Sequence, residues 1–317
     1  MPVTETAGVL RTPSASVLWE KRLQMEQDWR LHEGTEDDFR SWRKKAAIKC
    51  AILLVRCAGL YGRGRRNTRD FVFERHTFTF PVLPPALDGF QILHLSDFHY
   101  SRFDTAFADA VVELVRGVQA DICLITGDYR YGYFGAVEYI EPLVQRVLQT
   151  IHVKHGAYGV FGNHDISGMI PGLERAGLTV LINGGRLIDV GGASLWVGGV
   201  DDAHWFRCAS VPDALAGAPK DAFKILLAHT PENVAEAAAL GFDFCLCGHT
   251  HGGQILFPVV GALMMNARCA REHTVGKWCC GDMQGYTTRG LGTTDIPLRF
   301  NCRPEATLIA LKRGAEA

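Results

Sequence analysis

The stretch Gly248-His249-Thr250-His251-Gly252-Gly253-Gln254 decides the fold of this chain. It follows residues 242–247, an apolar run that is typical of a buried strand. His249 and His251 are separated by one residue in a loop, so they favour binding two adjacent ions. Two histidines four residues apart on a helix would instead grip one ion from the same side. The glycines let the backbone turn tightly and approach whatever is bound. A site of this kind needs further ligands from the rest of the chain.

Length and composition are those of an ordinary globular protein. The 317 residues are 47% hydrophobic and 21% charged, which suits one large domain with an extension. The formal net charge of −1 gives no general bias towards nucleic acid, and we expect no nucleic-acid partner. The ten cysteines lack regular spacing, and we find neither a secretory signal nor an apolar run long enough to cross a membrane. These features favour a reducing, cytoplasmic location.

Residues 1–80 are predicted to form a helical extension, with one helix over residues 17–32 and a second over about 36–60. A strand-like run and a proline-rich bridge follow. We place the domain boundary there and assign residues 81–317 to the main domain.

The second predicted helix combines positive charge with an apolar face. Residues 40–69 contain ten basic residues and no acidic one. Lys45, Lys49, Arg56 and Arg63 fall along one stripe at helical spacing, while apolar side chains fall mostly on the other side. A nucleic-acid-binding tail is a third and weaker interpretation, because aromatic residues are not interleaved with the basic ones. Two interpretations are favoured. Residues 40–69 either contact an anionic membrane surface, where each Lys or Arg adds about 1 kcal/mol of attraction, or pack on the main domain with a solvated basic edge.

Polar motifs come directly after apolar stretches of the main domain. They are Asp97-Phe98-His99 after 91–95, Gly127-Asp128 after 121–125, Gly162-Asn163-His164-Asp165 after 158–161, His229 after 224–228, and His249-Thr250-His251 after 242–247. Helices are predicted over 104–118 and 136–150, and this alternation predicts an α/β fold with a ligand crevice at the carboxyl edge of a sheet. Strands over 179–182, 186–190 and 195–200 follow without long helices and predict a second sheet with antiparallel neighbours.

The residue types in these motifs are ligands of divalent transition metals. Asp97 and His99 are predicted to project to the same side of an extended backbone, and a carboxylate beside an imidazole suits such an ion. Each motif alone is weak, because Gly-Asp and Gly-Asn pairs are common in turns. The motifs in this order, each after a strand, favour a metal centre.

With these motifs, residues 90–311 resemble the calcineurin-like metallophosphoesterase superfamily. The resemblance implies a four-layer α/β/β/α sandwich with two metal ions at the sheet edges. It assigns Asp97, His99 and His251 to the first ion, Asn163, His229 and His249 to the second, and Asp128 to a bridge between them. The tail from Thr288 to Glu305 is similar to a bacterial branch of small phosphoesterases that includes membrane-associated members.

The same resemblance implies a hydrolase in which two divalent ions activate a water for attack on phosphorus. It assigns no metal to His164, so we expect His164 to stabilise the transition state or protonate the leaving group, and Asp165 to orient His164. Arg130 is predicted to bind the substrate phosphate as a planar fork, with a solvated loop charge as the alternative. The mixed oxygen and nitrogen ligands suit manganese, iron or zinc, with manganese expected first.

Residues 255–284 are rich in apolar side chains, which predicts either an apolar wall for a lipid chain or ordinary core. Together with the basic helix, they favour a lipid-linked phosphodiester or pyrophosphate as substrate. UDP-2,3-diacylglucosamine, which one class of the family cleaves, is an example. A soluble phosphodiesterase acting on a cyclic nucleotide or another small diester is an alternative, and a non-catalytic metal-binding scaffold is another. The leading hypothesis predicts a cytoplasmic protein at the inner face of a membrane.

Overall fold

The computed structural model describes residues 10–11, 13–31, 42–133, 135–258, 261–262 and 265–314. In chain order, the strands are β1 (Leu10–Arg11), β2 (Val72–Phe80), β3 (Gln91–Leu95), β4 (Gln119–Ala120), β5 (Ile122–Ile125), β6 (His152–Val153), β7 (Ala157–Gly159), β8 (Leu178–Val180), β9 (Gly184–Val190), β10 (Ala193–Gly199), β11 (Phe223–Leu227), β12 (Phe244–Cys247), β13 (Leu256–Phe257), β14 (Gly261–Ala262), β15 (Gly276–Cys280), β16 (Met283–Thr287) and β17 (Glu305–Arg313). The α-helices are α1 (Pro13–Leu31), α2 (Trp42–Cys57), α3 (Tyr61–Asn67), α4 (Thr105–Val115), α5 (Ile140–Thr150), α6 (Ile170–Arg175), α7 (Val211–Leu215) and α8 (Val234–Ala239).

Two sheets form the main domain. The first has its strands in the order β2-β17-β3-β5-β7-β8, and the neighbours from β3 to β8 are parallel. The second has the order β1-β9-β10-β11-β12-β16-β15, in which β10, β11, β12 and β16 are parallel. β9 and β15 flank this parallel set as antiparallel neighbours. This confirms a second sheet with antiparallel neighbours for the strands predicted over 186–190 and 195–200, whereas the strand predicted over 179–182 is β8 of the first sheet, parallel to β7.

Apolar side chains alternate along the strands and create three core layers. Ile92 and Leu124 face inwards, in a core shared by the two sheets. Leu93, one position along β3, faces outwards to α4, α5 and α6. Cys245 and Cys247 face α7 and α8 on the opposite side. The order helices, sheet, sheet, helices is the predicted four-layer α/β/β/α sandwich.

Two strands of the predicted extension lie in the sandwich: β1 pairs antiparallel with β9 at the edge of the second sheet, and β2 lies in the first sheet. β2 pairs in parallel with β17 along its whole length, from Val72 opposite Glu305 to Phe80 opposite Arg313. The boundary predicted at residue 80 assigned this strand to the extension, whereas its pairing makes it the edge strand of the first sheet.

The basic helix ends earlier than predicted, at Cys57. α2 ends because Gly59 adopts a φ of +71°, and its amide donates to the Arg56 carbonyl. The chain then continues as α3, so Arg63 lies on a different helix from Lys49 and does not extend the predicted stripe. The start of the predicted helix, up to residue 41, lies outside the described residues. Within the described ranges, none of the helices combines the length and the apolar character that crossing a bilayer requires.

Candidate metal centre

The polar motifs meet at the common carboxyl edge of the two sheets. The loops after β3, β5 and β7 come from the first sheet, and those after β11 and β12 come from the second. Hydrogen bonds join the two sets of loops. The His249 amide donates to the Asp97 carboxylate at 3.1 Å, and Nδ1–H of His229 donates to the Thr126 carbonyl at 2.6 Å. All the predicted ligands are buried.

Asp97, His99 and His251 form the first ligand group. Nε2 of His251 lies 3.2 Å from Oδ1 of Asp97 and 3.0 Å from Nε2 of His99. Atoms that bind one ion at about 2.0–2.2 Å lie roughly 3 Å from one another, so these separations fit a single ion. Two neutral ring nitrogens that face each other share at most one hydrogen, whereas both can ligate an ion.

Asp128, His229 and His249 form the second ligand group. Nε2 of His229 lies 3.2 Å from Oδ2 of Asp128 and 3.2 Å from Nδ1 of His249. The other nitrogen of each ring donates to a backbone carbonyl, which for His249 is that of Asn266 at 2.5 Å. These bonds fix which nitrogen faces the group. Asn163 lies in a neighbouring loop, and its buried Oδ1 has no hydrogen-bond partner, as expected of an atom that binds an ion.

Asp128 touches both groups. Its Oδ2 lies 3.5 Å from Nε2 of His99 in the first group and 3.2 Å from Nε2 of His229 in the second. Its Oδ1 accepts a hydrogen bond from the His164 amide at 2.9 Å, which orients the carboxylate. This is the position that a bridging ligand requires.

The ligand loops have a strained backbone. Five ligand residues adopt a left-handed backbone conformation: Asp97 (φ +53°), His99 (φ +44°), Asp128 (φ +55°), His249 (φ +68°) and His251 (φ +50°). This conformation costs roughly 1–2 kcal/mol for a residue with a side chain, so tertiary contacts must hold it. At Gly248 a Cβ would lie only 2.4 Å from Oδ2 of Asp97, which explains the glycine there. The extended backbone predicted for Asp97 and His99 is therefore wrong.

Burial and charge give the histidines different protonation states. Burial lowers the pKa of His99 to about 3 and also lowers the pKa of His249. Burial opposes protonation of His229 as well, but the Asp128 carboxylate outweighs it and raises the pKa of His229 to about 10. The metal-free protein therefore carries a proton on His229 at neutral pH. The resulting ion pair stabilises the metal-free fold at neutral pH, and this stabilisation is lost as the pH rises through about 10.

Metal binding should release about one proton per chain at neutral pH. An ion needs the neutral imidazole and must displace the proton of His229, so affinity should fall about tenfold for each pH unit below about 10. Calorimetric titration of the metal-free protein with Mn²⁺, in buffers of different ionisation enthalpy, measures this proton count. If metal binds and almost no protons are released, His229 is neutral in the metal-free protein.

His164 lies beside the metal centre but is held differently. Its Nδ1–H donates to the Gly132 carbonyl at 2.9 Å, and its ring stacks on Tyr133 with 4.1 Å between centroids. Nε2 therefore faces the centre and lies 3.9 Å from Oδ2 of Asp128. His99, Asp128 and His164 also have side-chain atoms close enough together to hold one ion. Burial lowers the pKa of His164, which leaves Nε2 with a free lone pair at neutral pH.

Asp165 does not orient the His164 ring, so that prediction is wrong. The Asp165 carboxylate accepts hydrogen bonds from the amides of Asp128 at 2.7 Å, Tyr129 at 2.9 Å and Gly162 at 2.8 Å. It therefore fixes the loop after β5 against the loop after β7. Burial and the charge of Asp128 raise the pKa of Asp165 to about 6.

Arg130 is neither a solvated charge nor a free phosphate fork, so both sequence interpretations are wrong. Its side chain is 1% exposed. Nε donates to the His164 carbonyl and Nη2 to the Tyr133 carbonyl, both at 2.5 Å. Nη1 is buried without a partner. Arg130 thus ties its own loop to the backbone that carries His164.

Two further buried arginines support the ligand loops and were not predicted to do so. Arg299 donates to the Gly292 carbonyl at 2.6 Å, and the Gly292 amide donates to the Asp97 carbonyl at 2.6 Å. Arg22 of α1 donates to the Asp165 carbonyl at 2.5 Å. In the sequence, Arg299 stood out only because it lies in the tail that resembles the family. Nothing in the sequence indicated a role for Arg22.

Residues 255–284, which were predicted to form an apolar wall or ordinary core, differ in their burial. Trp278 belongs to the core, where its Nε1 donates to the Thr287 hydroxyl at 2.9 Å. Phe257 is half-exposed. Val259, Val260, Leu263 and Met264 lie outside the described residues.

Comparison with known proteins agrees with this geometry. Residues 90–253 match the family model of the calcineurin-like phosphoesterases. The chain is 29% identical to the uncharacterized metallophosphoesterase YkuE of Bacillus subtilis, over 75% of this chain and 84% of that protein. It is 31% identical to phosphodiesterase YaeI of Escherichia coli, over 70% of this chain and 82% of that protein. A transmembrane protein with metallophosphoesterase domain from Danio rerio is 28% identical, over 73% of this chain and 55% of that protein.

The chain belongs to the calcineurin-like phosphoesterase family. Its buried aspartate and histidine groups bind divalent metal, and the protein is a metal-dependent phosphoesterase that hydrolyses phosphoester bonds.

Proposed function

We propose that the protein is a dinuclear phosphoesterase that works at the inner face of a membrane on a lipid-linked phosphodiester or pyrophosphate. UDP-2,3-diacylglucosamine is an example of this substrate class. The observation that carries the proposal is the pair of exposed leucines on the basic helix α2.

Two apolar side chains of α2 lie largely in solvent, while Ile48, Ile52 and Val55 are half-buried. Leu53 and Leu54 are 59% and 70% exposed, and Leu60, between α2 and α3, is 44% exposed. Packing on the sandwich, the other interpretation of this helix, would have covered them. The exposed side chains of Lys49 and Arg56 lie on the same helix. A membrane interface would cover the leucines, and anionic headgroups would attract the cations by about 1 kcal/mol each.

A short chain of contacts joins α3, the helix that follows α2, to the metal centre. The Asn67 side chain at the end of α3 donates to the Arg299 carbonyl at 2.9 Å, and the Arg299 amide donates to the Gly64 carbonyl at 3.1 Å. The Arg299 guanidinium reaches Gly292, which is bonded to Asp97. These contacts support the proposal because α3, which directly follows α2 in the chain, is connected to the loop that carries Asp97.

In this proposal each ligand group holds one divalent ion, with Asn163 in the second set and Asp128 between the two ions. Bound ions would neutralise phosphate oxygens and lower the pKa of the attacking water. Nε2 of His164 faces the centre with a free lone pair, so it would take up a proton of the attacking water and then donate it to the leaving oxygen. Manganese is the proposed metal, since carboxylate, amide and imidazole ligands suit it, and iron or zinc are alternatives.

Substrate class and membrane contact are tested together. The manganese-loaded protein is offered a simple monoester, a simple diester and a UDP-linked diacyl sugar, with and without anionic vesicles. The double variant L53E/L54E should bind vesicles at least about tenfold more weakly, because two charges are then placed in the membrane interface. It should also lose turnover of the lipid-linked substrate while keeping turnover of the simple diester.

The matched control is Leu187→Glu, since Leu187 is 47% exposed on β9, away from α2. L187E should behave as the wild type. Cleavage of only the simple diester, without vesicle binding, would favour the soluble phosphodiesterase. Two bound ions without cleavage of any substrate would favour the non-catalytic scaffold.

A further inference from the structure

We infer that α1 is part of the catalytic apparatus, in which Arg22 and Glu26 form a clasp that positions the loop carrying Asn163 and His164. The inference rests on the proposed function of that loop in metal binding and turnover. α1 lies outside residues 90–253, the part of the chain that matches the family model.

Arg22 is the centre of the clasp. Its side chain is fully buried, although it belongs to a helix near the start of the chain. Nη1 donates to Oδ1 of Asp201 at 2.6 Å, and Nη2 donates to the carbonyl of Asp165 at 2.5 Å. The guanidinium carbon also lies 3.4 Å from the centroid of the Phe206 ring. The planar fork therefore binds two parts of the main domain at once, a geometry that a lysine cannot reproduce.

Glu26, one helical turn later, holds the far end of the same loop. It accepts hydrogen bonds from the Ser167 amide at 2.9 Å and from the Ser167 hydroxyl at 2.5 Å. It also accepts from Nε of Arg22 at 2.8 Å, which aligns the guanidinium. Arg22 and Glu26 thus grip the backbone at residues 165 and 167, directly after the two site residues.

The grip reaches the metal centre through one residue. Arg22 binds the main-chain carbonyl of Asp165, while the side chain of Asp165 accepts from the Asp128 and Gly162 amides. The His164 amide in turn donates to Oδ1 of Asp128. A shift of the Asp165 carbonyl would therefore move both the bridging carboxylate and the His164 ring.

Burying charged side chains is an energetically costly way to attach a helix. Arg22, Glu26 and Asp201 are all nearly inaccessible to solvent, and apolar side chains of similar volume would attach α1 at least as firmly. Directional hydrogen bonds fix the register of a loop, which apolar contacts do not. The clasp therefore fits a positioning role better than a purely stabilising one.

The test compares stability with metal affinity. Arg22→Lys keeps the charge and loses the fork. The triple variant R22M/E26Q/D201N removes the three charges of the Arg22–Glu26 and Arg22–Asp201 ion pairs together. In both variants we expect Mn²⁺ affinity at one site and kcat to fall by about 10- to 100-fold, with KM nearly unchanged. The control is Lys21→Met, because Lys21 is the neighbour of Arg22 and donates to the Arg207 carbonyl only at the surface.

Affinity is measured by electron paramagnetic resonance titration with Mn²⁺, well below the melting temperature of each variant. A triple variant that melts like the wild type but binds the second ion weakly supports the clasp. Wild-type affinity and kcat in the triple variant would overturn it. A wild type that binds two ions but cleaves no substrate would count against the proposed function, while the affinity comparison would still decide the clasp.

Discussion

Replacing Asp128 by asparagine should remove at least one metal ion and nearly all activity. The carboxylate touches the first group through His99 and the second through His229. A neutral amide lacks the charge that holds two divalent ions together. We expect kcat/KM to fall by about 10³-fold or more, which corresponds to roughly 4 kcal/mol of transition-state stabilisation. Elemental analysis of the dialysed protein and turnover of a simple diester measure the two losses.

The fold should survive this change, because an asparagine oxygen can still accept the hydrogen bond from the His164 amide. Asp109→Asn is the control, since Asp109 lies on the surface of α4 and pairs with Arg146. D109N should keep both ions and full turnover. Two ions and normal turnover in D128N would mean that the carboxylate does not bridge.

Replacing His164 by alanine should lower kcat by about 10²- to 10⁴-fold while both ions stay bound. Its ring is fixed by the Gly132 carbonyl and by Tyr133, with Nε2 facing the ligands. The variant removes the group that would donate a proton to the leaving oxygen and leaves the two ligand groups intact. Metal content and kcat, measured on the same preparation, separate the two effects.

His152→Ala serves as the control for H164A, because His152 is an exposed histidine outside the metal centre. Full turnover of H164A with normal metal content would reject the catalytic role. Loss of an ion together with activity would instead make His164 a ligand, as its spacing to His99 and Asp128 allows.

The ligand positions were predictable because they depend on a local rule. Parallel strands bring their carboxyl ends to one edge, so the residues that follow β3, β5, β7, β11 and β12 were expected to meet. The order of strands and helices predicted an α/β fold with a second sheet, and the family resemblance implied the four-layer sandwich. Asp97, Asp128 and His229 lie at that edge, as predicted from their place in the sequence.

The supporting residues were not predictable in the same way. Asp165 and Arg130 bind backbone amides and carbonyls, whose directions depend on left-handed loops that no residue pattern specifies. Arg22 meets Asp201, which lies 179 residues away along the chain. In the sequence Arg22 is one basic residue among many in a polar helix. Such partners are defined by tertiary packing alone.

The pairing of β2 with β17 has a practical consequence for dissecting the protein. A protein cut at residue 80 would lose β2, and β17 would then present a row of unpaired amides and carbonyls along Glu305–Arg313. An apolar strand with an open edge is a template for association between molecules. Cleavage between Asn67 and Val72 would instead remove the helices and β1, and would keep β2 paired with β17 as the edge of the first sheet. The helical part is therefore best separated from the sandwich within this short connection.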